Sequence, residues 1–170
     1  RPLRPEPPRR RYSGYFQRGD PDLHGSLRLQ APFAQQHDLV FEAKVNDRYP
    51  VIGLEDSRGA LLAFGSFGPF RAWPAYKYTV EHSVYVHKGY RGQGLGREVL
   101  LQLIAATKAR QVHCMIGGID ATNSGSIALH ERLGFRHVGT LPQVGFKFGR
   151  WLDVSFYQLL LDTPAEPMDG

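Results

Sequence analysis

Between residues 50 and 161, apolar and polar positions alternate between a strand-like and a helix-like period. Val51-Ile52-Gly53-Leu54, opened by Pro50, and Ala60–Phe67 are two short apolar runs. Asp56-Ser57-Arg58-Gly59 between them has Asp first and Gly fourth, the chemistry of a turn, so a hairpin broken by Gly68-Pro69 is expected. Phe70–Ala75 reads as a loop and Tyr76–Val86 as a long strand. Over Gly94–Arg110 the apolar residues Leu95, Val99, Leu103 and Ala106, widened by Leu100, Leu101 and Ile104, predict a helix with one buried side. Val112–Ile119 has few polar residues and reads as a central strand covered on both faces. Thr122-Asn123-Ser124 is placed to cap a helix from about Gly125 to Leu133, and Gly134 to end it in a left-handed conformation. Phe135–Thr140 and Val154–Leu161 complete the strands. The order β-β-β-α-β-α-β-β predicts an α/β fold, a mixed sheet with helices on its faces. The segments 76–119 and 113–140 are expected to pair their strands in parallel.

Outside that region the pattern fades. Residues 1–34 are irregular, rich in Arg, Pro and Gly, although Gln35–Val45 is compatible with a helix. The expected organisation is an irregular segment 1–34, one domain over 35–163 and a polar tail 164–170. A chain of 170 residues with 42% hydrophobic content can build a substantial core. The net charge of +5 is concentrated in residues 1–11, where five arginines and Glu6 give +4, leaving +1 for the rest. No nucleic-acid-binding face is therefore expected. No apolar run approaches the ~18 residues of a membrane span, and the N-terminus has no apolar leader, so neither a membrane nor secretion is expected. The single cysteine, Cys114, lies in an apolar run and suits a buried position in a reducing cytoplasm. The seven histidines show no metal-ligand spacing.

The candidate chemistry sits where the long strand meets the first helix: Val84-Tyr85-Val86, then Arg91-Gly92-Gln93-Gly94-Leu95-Gly96-Arg97. Glycines let backbone N–H groups approach an anion, and the helix behind them presents its positive end. The loop reads as a pyrophosphate cradle, with an ordinary turn as the alternative. No Gly-Lys-Ser/Thr follows, as a nucleoside-triphosphate loop requires, and no acidic residue stands about twenty positions on, as a dinucleotide site requires.

These residues, with Thr79-Val80-Glu81-His82-Ser83 before them, resemble the GCN5-related N-acetyltransferase superfamily. Asn123, Ser126 and Leu129-His130-Glu131-Arg132-Leu133-Gly134-Phe135 carry the resemblance further, and Gln143–Asp153 narrows it to the phosphinothricin and methionine sulfone acetyltransferase group. The resemblance covers about residues 41–163 and implies acetyl-CoA as acetyl donor, no metal, a small amino acid as acceptor and a homodimer. It places the backbone of Val84, Tyr85 and Val86 along the pantetheine arm and Arg91, Gly92, Gln93, Gly94, Leu95, Gly96 and Arg97 at the pyrophosphate. Asn123 would stand near the thioester, assisted by Ser126. Arg71, Ala72, Trp73, Glu81, His82 and Ser83 would contact the acceptor.

An ammonium must lose a proton before it attacks a thioester, and Glu81 is the candidate base, directly or through a water. The alternative is a strand glutamate in an ordinary ion pair. His130 stands where many relatives carry a tyrosine and is the candidate acid for the leaving thiolate. The alternative is a helix histidine satisfied by backbone contacts. Arg71 is a candidate for the acceptor carboxylate or a solvated loop arginine. Lys147, Arg150 and Trp151 fit a site or a dimer interface equally. Two other functions compete: acetylation of a protein N-terminus or other amine, and CoA binding with impaired turnover.

Two departures from the family stand out. Gln111 follows the first helix where relatives usually have Gly, at an expected cost of about 1 kcal/mol if the backbone there is left-handed. Residues 9–39 show no direct match. Reverse-translating Arg11–Ala31 and shifting the frame by one base permits Asp-Ile-Pro-Gly-Ile-Phe-Asn-Glu-Val-Ile-Arg-Thr-Ser-Thr-Ala-Val-Tyr-Asp-Tyr-Lys-Pro, which resembles the family's first helix and following loop. A compensated frameshift over roughly residues 7–40, in the gene or its sequencing, accounts for the departure. Resequencing decides it. In the family this segment walls the acceptor pocket.

Overall fold

The computed structural model describes residues 49–169, together with the backbone of residues 11 and 12. Most of the segment 1–34 and the expected helix at Gln35–Val45 lie outside the described residues. The strands are β1 (Arg11–Tyr12), β2 (Val51–Glu55), β3 (Leu61–Pro69), β4 (Thr79–Val86), β5 (Cys114–Asp120), β6 (Arg136–Lys147) and β7 (Arg150–Leu160). The helices are α1 (Leu95–Ala109) and α2 (Ser124–Arg132). The order from β2 to β7 is the expected β-β-β-α-β-α-β-β. The strands form one mixed sheet in the order β1-β2-β3-β4-β5-β7-β6.

The neighbours explain the composition of each strand. β3 is buried without a break from Leu62 to Gly68, as expected of an inner strand covered on both faces. Gly68-Pro69 does not break it: the strand runs to Pro69, the exposed final residue, where a missing N–H costs least. β4 begins at Thr79 rather than Tyr76, because Pro74–Tyr76 closes a 3-10 turn. β4 and β5 pair in parallel from Thr79↔Cys114 to His82↔Gly117. β5 and β6 are not paired, contrary to expectation. β7 lies between them, antiparallel to both. β6 and β7 turn through Phe148 and Gly149, at φ 55° and 71°, with Lys147 opposite Arg150, so β7 returns directly along β6. Both strands are therefore longer than their apolar runs, and β6 is bulged between Leu141 and Gly145.

Contacts divide the chain into two units. One holds the described residues up to Gly65 together with Val84–Val99, and the other Ser66–Ser83 together with the described residues from Leu100 onward. In the first, Val51, Ile52, Leu54, Leu62, Ala63, Phe64, Leu95 and Val99 are buried. Phe64 stacks on Tyr85 at 4.9 Å, and the Asp56 carboxylate accepts from the amides of Arg58 and Ala60 in the β2–β3 turn. In the second, Leu100, Leu103, Ala106 and Thr107 of α1 are buried, as are Met115, Ile116 and Ile119 of β5. Each large apolar side chain so covered contributes about 1.5–3 kcal/mol relative to exposure. Cys114 is buried as expected, with the Gln158 amide donating to its sulfur at 3.1 Å.

Gln111 holds φ 57°, the left-handed conformation foreseen after α1, and Gly134 holds φ 90° after α2. The polar tail is tied to the second unit: the Met168 amide donates to the Tyr78 hydroxyl and Lys77 Nζ to the Asp169 carbonyl. Among the described residues no helix is long and apolar enough to cross a membrane.

Candidate functional site

The glycine loop lies in the first unit. β4 ends at Val86, and the His87 amide donates to the Leu62 carbonyl at 2.9 Å, tying the exit of the strand to β3. His87 Nδ1 then accepts from the Gly89 amide, closing a 3-10 turn over Lys88–Tyr90. Gly92 and Gly94 follow at φ 76° and 81°, which only glycine adopts without strain, and among the described residues nothing lies within 4 Å of a Cβ built on either. The backbone at both positions is therefore open to a ligand. The α1 ladder starts with the Glu98 amide donating to the Gly94 carbonyl, so the amides of the preceding turn are the orphan donors of a 15-residue helix. Arg91, Gln93 and Arg97 are exposed around this end, while Leu95 is buried and anchors the helix. The segment satisfies the requirements of a diphosphate site: open glycine backbone, helix N-terminus and cationic side chains.

The second unit brings together residues that sequence reading gave separate duties. His82 and His130 meet through their Nε2 atoms at 2.9 Å, and both are buried. His82 Nδ1 lies 2.8 Å from the Ile116 carbonyl of β5. His130 Nδ1 lies 2.7 Å from the Ser126 carbonyl, one turn back in α2. Ser126 in turn donates its amide to Asn123 Oδ1 at 3.1 Å, the helix N-cap. A hydrogen-bonded chain thus runs from Asn123 through Ser126, His130 and His82 to β5. Burial pushes protonation of His82 down to about 3, with the charge of His130 the next cause. Burial also lowers that of His130, opposed by the Ser126 carbonyl.

The contact requires Gly117. A Cβ there would stand 2.8 Å from His82 Cε1 and 3.3 Å from His130 Nε2. A glycine inside a strand signals such a close approach, and Gly117-Gly118 carried that signal in the sequence. Sequence reading missed it, placing His82 against the acceptor. The backbone-satisfied alternative for His130 describes its Nδ1, while its Nε2 is engaged by His82.

Glu81 precedes His82 and so points to the opposite face of the sheet. A Cβ at Gly118 would lie 3.2 Å from Glu81 Oε1, 3.4 Å from Val154 Cγ1 and 3.5 Å from Phe156 Cε1. The expected set of Glu81 and His130 is therefore split between two faces of β4 and β5. Ser83 follows on the face of Glu81, past the end of the β4–β5 ladder. Arg71, Ala72 and Trp73 are exposed in the loop before β4. Arg71 donates to the Phe70 carbonyl at 2.8 Å and lies over the Phe70 ring. Trp73 is 72% exposed.

Gln143–Asp153 forms the outer part of the β6–β7 hairpin. Asp153 accepts from the Gln143 amide at 2.9 Å, and Arg150 lies 3.7 Å from Asp120. That pair is largely exposed and contributes little. Among the described residues no group of three or more His, Cys, Asp or Glu is placed to hold a metal ion.

The profile described as "Acetyltransferase (GNAT) family" matches residues 12–135. It therefore reaches into the segment 9–39, for which direct reading found no match. An L-methionine sulfoximine/L-methionine sulfone acetyltransferase of Salmonella typhimurium is 46% identical over 127 residues, 75% of this chain and 74% of the relative. An L-amino acid N-acyltransferase of Escherichia coli K12 is also 46% identical, over 75% of this chain and 73% of its own length. Among solved structures, a GNAT superfamily phosphinothricin acetyltransferase of Sinorhizobium meliloti in complex with AcCoA superposes with TM-score 0.71 at 36% identity. It covers 79% of this chain and 74% of that one. By fold, by the glycine loop at the head of α1 and by these matches, the chain belongs to the acetyltransferase (GNAT) family.

Proposed function

We propose that this chain is an acetyl-CoA-dependent N-acetyltransferase acting on the α-amine of a small amino acid of the methionine sulfone, methionine sulfoximine or phosphinothricin type. The observation that carries the reading is the 46% identity to a methionine sulfoximine/sulfone acetyltransferase across about three quarters of both chains. The open backbone at Gly92 and Gly94 fits the diphosphate of CoA.

Bound acetyl-CoA supplies an acyl group already activated as a thioester. The protein has to hold it, orient the amine and manage protons. The amides of Gly92–Arg97 would hold the diphosphate, and the backbone of Val84–Val86 would align the arm. Holding both reactants together replaces a bimolecular encounter and supplies much of the rate. Glu81 takes a proton from the ammonium, directly or through a water. His130, held by Ser126 and His82, supplies the proton that the sulfur gains. Arg71 and Trp73 serve the acceptor's carboxylate and side chain, and Asn123 combines its capping role with a contact to the donor.

The enzyme works in the cytoplasm as a homodimer, without nucleic-acid or membrane partners. In support of the dimer, the β6–β7 hairpin exposes Val144, Phe146, Phe148 and Trp151, with Phe148 82% exposed. Sedimentation is expected to give twice the chain mass, falling to the monomer for Phe148→Asp. A monomeric wild type excludes the dimer.

A thiol-release assay tests the activity. Release of CoA is expected with methionine sulfone or phosphinothricin and not with a peptide N-terminus. Release only with the peptide assigns the enzyme to protein acetylation. No release, while acetyl-CoA still raises the melting temperature, leaves CoA binding alone.

A further inference from the structure

We propose that His82 is a positioning residue for His130, and that the two imidazoles hold one proton in common between their Nε2 atoms. The inference rests on the reading that His130 works in acetyl transfer, but its structural basis is a count of protons. Carbonyl oxygens only accept, so the contacts of His82 Nδ1 to Ile116 and of His130 Nδ1 to Ser126 each require an N–H. A neutral imidazole has a single N–H. Both are then used, and two bare Nε2 lone pairs face each other at 2.9 Å. Any other neutral arrangement turns a bare Nδ1 toward a carbonyl. Only one proton beyond the neutral complement makes all three contacts hydrogen bonds.

The surroundings limit the pair to that one proton, and burial lowers the pH at which it is taken up. The ring centroids are 5.1 Å apart and nearly parallel at 28°, and Phe135 lies against both at 5.3 and 5.0 Å. Burial opposes charge on each ring and mutual repulsion excludes a second extra proton, while the two carbonyls favour the first. From β5 the pair meets Gly117 and the Ile116 carbonyl. On β7, Tyr157 is the register partner of Gly117, and its ring lies tilted at 58° against that of His137, 5.3 Å away. Glu81 lies on the opposite face, and Glu131 and Arg132 of α2 are exposed. No carboxylate on these elements is placed to take the proton from the pair.

The chemistry has use for such a store. An ammonium sheds two protons on becoming an amide, and the sulfur takes up one as a thiol. The site must therefore accept protons and return one in each turnover. The shared proton is the one His130 has to give. When it leaves, the pair becomes neutral with facing lone pairs, which favours its replacement from the protons shed by the amine.

Two readouts test this. In protein with 15N-labelled histidine rings, titrated downward from neutral pH, both Nδ1 atoms are expected to read as protonated and the two Nε2 atoms as intermediate between protonated and bare once the pH falls below the ordinary imidazole range. Either Nδ1 found bare there, or both Nε2 fully bare there, overturns the shared proton, and this measurement needs no turnover. In the thiol-release assay, His82→Ala is expected to lower kcat at least tenfold with KM for acetyl-CoA within about twofold. His82→Gln, whose amide can still hold the His130 ring but cannot share its proton, is expected not to restore kcat. Full rescue by glutamine, or unchanged kcat in the alanine variant, overturns the proposal. A wild-type enzyme without turnover refutes the reading of His130 in catalysis, while the ring nitrogens still decide the pair.

Discussion

Replacing Glu81 by glutamine is expected to lower kcat by about 10²–10⁴-fold, the usual contribution of a positioned general base. An α-amine is mostly protonated near neutral pH and has no lone pair for the thioester until a proton is removed. Glutamine keeps the shape of the side chain beside Gly118 but cannot accept that proton. The loss should fall on kcat rather than on KM for acetyl-CoA, because Glu81 lies on β4 before the segment assigned to the donor. Two controls separate chemistry from damage. The melting temperature rise with acetyl-CoA should be retained. The residual rate should also increase with pH as the free amine becomes available. Turnover within a few-fold of wild type would remove Glu81 from the role of base and leave it as an ordinary strand glutamate.

Replacing Gly94 by valine is expected to weaken acetyl-CoA binding by about 5- to 30-fold with little effect on the acceptor's KM. Gly94 sits at φ 81°, and among the described residues nothing lies within 4 Å of an added Cβ, so the substitution meets no steric wall from them. The cost is conformational: a left-handed backbone costs a non-glycine residue about 1–2 kcal/mol, and a β-branched residue is strained further. At about 1.4 kcal/mol per decade this corresponds to the stated range if binding needs the left-handed loop. Calorimetric titration with acetyl-CoA measures it directly. Unchanged affinity would show that the diphosphate does not depend on this conformation. Gly96, already inside α1, should tolerate alanine far better, because helical φ carries no such penalty.

The outcome for individual residues shows where sequence reading reaches. The buried positions of α1 were visible because a helix repeats its inward face on a fixed period, and Leu95, Val99, Leu103 and Ala106 are all buried. The left-handed Gln111 and Gly134 were legible because helix ends have their own local chemistry. The glycine loop was legible for the same reason, since a strand, glycines and a helix start are consecutive along the chain. The hairpin Gln143–Asp153 was seen as a family block but not as strand, because its exposed residues alternate little and its register depends on a left-handed Phe148-Gly149 turn. The hairpin makes β6 and β7 neighbours, but on which side of β6 the strand β7 lies could not be read from apolar runs alone.

The sequence by itself determined the order of elements, the glycine loop at the head of α1 and the family, because each is encoded in neighbouring residues. Only the tertiary structure decided how the site's side chains are distributed. Glu81 and His82 are adjacent in sequence and lie on opposite faces of the sheet, because successive strand residues alternate. His82 and His130 are 48 positions apart and share a hydrogen bond, because β4, β5 and α2 converge where Gly117 has no side chain. A contact between distant residues depends on how their elements pack, which no local period records.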